Sequence, residues 1–117
     1  MSDIREWRSA LLVGVDNGVR EIDTWMDPYQ AQTTKNLRRA SVAATTASDR
    51  DALQLLNKEL GHMQQLNNKV LAARKNRSYI TSDSLKKDPL DQKILKCARS
   101  LGEMAASGEF QDDGSCH

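Results

Sequence analysis

ALQLLNKELGHMQQLNNKVLAA, residues 52–73, is the stretch on which the fold turns. Leu53, Leu56, Leu60, Met63, Leu66, Val70 and Ala73 recur at threes and fours, and Leu55 and Leu71 widen the stripe into a near-heptad seam. That period belongs to an α-helix with one broad apolar face, whereas a half-buried strand would alternate with period two. A face this wide has to be covered by other segments of the chain or by a second molecule.

The cover begins upstream. Ile4, Trp7, Leu11, Val15, Ile22 and Met26 form a second helical stripe, opened by Asp3 and Glu6 as N-cap and N3 acid. Gly14 and Gly18 interrupt it, and a glycine in a helix interior costs about 1 kcal/mol against alanine. They mark either a weak middle or the close approach of another backbone. Asp27 and Pro28 read as the end of this helix and the start of the next: the residue before a proline is pushed out of the α region, and proline suits the first helical position. From there to residue 47 the apolar face holds only Ala31, Leu37, Ala40, Ala44 and Ala47. Ser48 and Asp51 form a possible cap and N3 acid ahead of the main seam. The Asp-Pro signal returns at Asp88-Pro89, with Asp91 as its N3 acid, and starts a helix to about Ala106. Leu90, Ile94, Cys97, Leu101 and Met104 are its buried stripe, and Gly108 stops it.

The predicted fold is therefore all-α: a small antiparallel bundle of four helices over residues 1–106, with breaks at 27–28, near 45–49 and within 78–88. Residues 107–117 are expected to form a disordered tail. The competing architecture is an elongated three-helix hairpin completed by dimerisation, in which residues 28–78 form a single rod about 75 Å long at 1.5 Å per residue. Shorter partners could cover such a rod only end to end, and short connections favour antiparallel neighbours.

Composition agrees with a single helical domain. The 117 residues are 38% hydrophobic and 28% charged but only 4% aromatic, so leucine and alanine must build the core. No apolar window is long enough to span a bilayer, which predicts no membrane segment, and the first residues lack the pattern of a cleaved secretory signal. The expected location is the cytoplasm, with Cys97 and Cys116 both as thiols. Tyr79-Ile80-Thr81-Ser82-Asp83 resembles the Tyr-x-x-x-Asp/Glu export signal of the small helical proteins of type VII secretion, without their Trp-x-Gly turn, and no family is assigned on it.

Chemistry-bearing motifs are sparse. Of two histidines, His62 borders the seam and reads as a boundary residue of the bundle, and His117 is the last residue. Cys97 lies on an apolar stripe and reads as a core side chain. No catalytic residue, metal ligand or cofactor is assigned, and an enzyme is not expected. Charge, by contrast, is segregated. Residues 1–27 and 88–117 each carry net −3, while Lys69, Arg74, Lys75, Arg77, Lys86 and Lys87 against Asp83 give +5 over residues 69–87. The expected function is a non-enzymatic helical interaction module, an adaptor, chaperone or assembly subunit. It would hold a partner helix or a second copy of itself through Leu55, Leu66 and Leu71, with Arg74, Lys75 and Arg77 as a charged rim. The alternative is nucleic-acid binding through the basic 69–87 stretch.

Overall fold

Gly18, not Pro28, ends the first helix. A computed structural model describes residues 2–78 and 80–117 of the chain. In it α1 runs Ser2–Asp16 and α2 runs Ile22–Ala43, with Gly18 between them at φ +65°. The Gly18 N–H donates to the Val15 carbonyl and the Val19 N–H to that of Gly14. This is a Schellman closure, whose left-handed residue suits glycine. The expected break at Asp27-Pro28 is thus displaced upstream, and Pro28 lies inside α2. Its position explains the tolerance: Pro28 and Thr24, the residue whose carbonyl loses its N–H partner, are both exposed, so water can serve that carbonyl.

The remaining helices are α3, Ala47–Lys75; α4, a short Ser82–Lys86; and α5, Pro89–Ser107. Residues 44–46 separate α2 from α3, so the continuous rod does not form. The cap is Thr46, not Ser48: its hydroxyl accepts from the Asp49 N–H while the Asp49 carboxylate accepts from the Thr46 N–H. Asp88 caps α5 as expected, accepting from the Leu90 N–H, and Gly108 ends that helix at φ +77°. Tyr79, the first residue of the export-like motif, lies outside the described residues.

Cross-helix contacts set the topology. Gly14 of α1 faces Ile22 and Trp25 of α2, and Asp3 accepts from Asn36, so α1 and α2 run antiparallel. On α3, Lys69 reaches Asp88 and Ser48 accepts from the Phe110 N–H just past α5, which makes that pair antiparallel as well. The described residues form an all-α bundle of four long helices with no strand, measuring 47 × 25 × 19 Å. The 29-residue α3 sets the long axis, at about 43 Å for 1.5 Å per residue.

All six residues of the first stripe, from Ile4 to Met26, are buried even though a turn divides them between two helices. On α3 the buried line is Leu55, Glu59, Met63, Leu66 and Val70, and Leu53, Leu56 and Leu60 fall to its half-buried flank. The expected seam is therefore rotated. α3 packs against α2 on one side and α5 on the other, so the centre of its face points between two helices.

Residues 109–117, expected to be disordered, fold back over the bundle. Cys116 is fully buried and bonded to Cys97 in a disulfide, Lys58 pairs with Asp112 at 3.0 Å, and Ser100 donates to Asp113. The reading of two free thiols is overturned. Helix α5 and the returning tail bring together sulfur atoms 19 positions apart in the chain. With it goes one ground for a cytoplasmic address, because structural disulfides persist in oxidising compartments. No helix among the described residues is long and apolar enough to cross a membrane.

Candidate interaction surface

The six residues expected to hold a partner separate into two groups. Leu55 and Leu66 are 0% and 1% exposed and belong to the bundle's own core, and Leu71 is half-buried against it. In the folded chain Leu55 and Leu66 therefore cannot touch a partner. The residues that widened the seam are its centre, and Glu59 masks this in the sequence by placing a charged residue within the buried line.

Arg74, Lys75 and Arg77 sit at the last turn and end of α3, where cations complement the helix dipole. Among the described residues no carboxylate lies within ion-pairing distance of them. Arg77 has a conformational duty too. At φ +58° it takes the position that Gly18 and Gly108 occupy elsewhere, with the Arg77 N–H on the Arg74 carbonyl and the Ser78 N–H on that of Ala73. Lys69, counted in the same basic stretch, is paired with Asp88 at 3.1 Å.

The apolar surface left open lies elsewhere, on α1 and α2. Trp25 is 39% and Val13 48% exposed, and with Tyr29 and Ala10 they line a groove of about 430 Å³ edged by Arg5 and Glu6. The Trp25 ring is held in place. Its Nε1–H donates to the Ala10 carbonyl at 2.8 Å, and the ring seats against Gly14, where a Cβ would come within 2.8 Å of it. Gly14 is thus a point of close approach, but to side chains of α2 and not to the backbone expected, and Gly18 has no neighbour of this kind. Trp25 and Val13 were missed because they stand beside the apolar stripe. The glycine four residues before Gly18 was the one signal pointing to them.

The polar contacts between helices have a different character. Arg8 donates from Nε and Nη2 to both carboxylate oxygens of Asp91, at 2.9 and 2.8 Å, and the Asp91 side chain is 1% exposed. This two-pronged pair ties α1 to α5 and takes Asp91 away from the capping role expected of it. Among the described residues no three His, Cys, Asp or Glu side chains gather as a metal site. Comparison with protein-family models, with curated proteins and with solved structures finds no match to this chain.

Proposed function

We propose that this chain is a non-enzymatic helical interaction module that pairs with a second copy of itself through the outer face of α1 and α2. The observation that carries this reading is Trp25, a large aromatic held rigid by its hydrogen bond to Ala10 yet left open beside Val13. Anchored aromatics of this kind dominate binding energy, because little side-chain freedom remains to be lost on association. The rim supports self-pairing over capture of a foreign helix. Arg5 and Glu6 put both signs of charge on one edge, so a twofold axis through the groove lets each face its opposite on the other copy. A protein partner is preferred to a nucleic acid because, of the basic 69–87 residues, Lys69 is paired with Asp88, and residues 1–27 and 88–117, each net −3, oppose a phosphate backbone.

Sedimentation over a range of concentrations tests the proposal. Wild-type protein should pass from monomer to dimer, and Val13→Glu should remain monomeric with unchanged helical circular dichroism, since Val13 is half exposed already. A wild type that stays monomeric throughout, or a dimer indifferent to Val13→Glu, defeats it.

A further inference from the structure

The last two turns of α2 read Leu37-Arg38-Arg39-Ala40-Ser41-Val42-Ala43. Thr33 is the last buried residue of that helix, and Arg38, Arg39, Ser41 and Val42 are all exposed, Val42 at 89%. Among the described residues neither arginine has an ion pair. The nearest side-chain ties are the Asn36 bond to Asp3 on one side and the Asp49 carboxylate on the Thr45 N–H on the other. Beneath the helix end an open crevice of about 280 Å³ runs past Ala40, Ala43, Ala52, Leu53 and Phe110. Its alanines bury little area, and a helix end with few buried contacts opens locally at small cost in free energy.

We propose that Ser41 is a phosphoryl-acceptor site, modified by a protein kinase that reads the two arginines ahead of it, and that the modification loosens the end of α2. Once the last turns open into an extended segment, Arg38 and Arg39 present two guanidinium forks that carboxylates lining a kinase cleft can take pairwise. Val42 offers the enzyme an exposed apolar side chain directly after the acceptor. In the transfer, Ser41 Oγ bonds to the γ-phosphorus of a nucleoside triphosphate while the bond from that phosphorus to the β–γ bridging oxygen breaks. Nucleoside diphosphate leaves, and the hydroxyl proton passes to a base of the kinase. The co-substrate confines the modification to compartments supplied with nucleoside triphosphate. The site lies outside the Trp25 groove and does not depend on self-pairing.

The effect on α2 follows from where Ser41 stands. Its carbonyl accepts the Ala44 N–H that closes the helix, so the hydroxyl sits in the final turn. Unpaired carbonyls make that end negative, and a phosphoserine adds a charge of roughly −1.5 to −2. Arg38, one turn back on the same face, offsets only part of this repulsion. The phosphorylated chain should therefore end α2 earlier and lengthen the 44–46 connection to α3.

The experiment incubates the full chain, with its Cys97–Cys116 bond closed, with ATP, magnesium and the catalytic subunit of cyclic-AMP-dependent protein kinase as an arginine-directed probe. Mass spectrometry should find one phosphate per chain, at Ser41, and none on Ser41→Ala. Combining Arg38→Ala with Arg39→Ala should slow incorporation at least about tenfold, since each removes a charge-assisted contact. In the phosphorylated chain the amides of residues 41–44 should exchange about two- to fivefold faster, with those of α3 unchanged. Phosphate on other residues, a rate indifferent to the arginines, or unchanged exchange would each overturn the proposal. A synthetic peptide of residues 34–46 that accepts phosphate while the full chain does not would overturn it too, because the helix end would then stay closed in the folded protein.

Discussion

Glu59 shows how one residue can set a pH dependence. Its carboxyl titrates near pH 4.5 when the chain is unfolded and near 8 when burial in the fold disfavours its charge. Between those values the folded state holds a proton that the unfolded state has released. Stability is therefore full below pH 4.5, falls as the pH rises, and reaches its lower plateau above 8. His62 acts in the opposite sense, because its lowered pKa makes the folded state gain stability as the pH rises through the ordinary imidazole range. Comparison with Glu59→Gln isolates the carboxyl. From pH 5 to pH 9 wild type should lose about 2–4 kcal/mol more than the variant in urea unfolding. Parallel profiles would show that Glu59 is solvated in the folded protein.

Among the elements, the behaviour of α2 has the clearest consequence. Pro28 lacks the N–H that would reach the Thr24 carbonyl, and interior prolines cost about 3 kcal/mol when buried neighbours cannot adjust. Because this one is exposed, Pro28→Ala should restore the bond without disturbing packing and raise stability by about 1–3 kcal/mol. Urea midpoints of the two proteins decide the matter, and a loss of stability would mean that the proline geometry is needed for the α1–α2 crossing. The two Asp-Pro signals were alike in sequence. Asp88-Pro89 starts a helix because the short α4 ends just before it, while Asp27-Pro28 falls within a helix already begun at Ile22. α3 likewise ends without a glycine, at Arg77, where only the backbone reveals the left-handed turn.

At the scale of the molecule, the Cys97–Cys116 disulfide closes the tail onto the bundle. Cross-linking positions 19 apart restricts the unfolded chain and should contribute about 3 kcal/mol. Cys97→Ser combined with Cys116→Ser should lower the urea stability by that order and open the amides of 109–117 to hydrogen exchange, while those of α1 and α3 stay protected. If the tail remains protected, its contacts through Lys58–Asp112, Ser48–Phe110 and Ser100–Asp113 hold it without the bond.

Helix formation was legible from the chain because it depends on neighbours three and four residues away. The stripes from Leu53 to Ala73 and Leu90 to Met104 each predicted one helix, that from Ile4 to Met26 is shared between α1 and α2, and the Asp88 cap and Gly108 stop marked both ends of α5. Which part of a stripe is buried depends on what packs against it. α3 has helices on two sides, so its core line passes through Leu55, Glu59, Met63 and Leu66, and two residues read as a docking edge became core. The same holds for the sulfur atoms of Cys97 and Cys116, for the carboxyl of Glu59 and for the ring of Trp25. Local spacing determines how a segment coils, whereas burial, pairing and exposure are properties of the space between segments, which exists only once the helices have met.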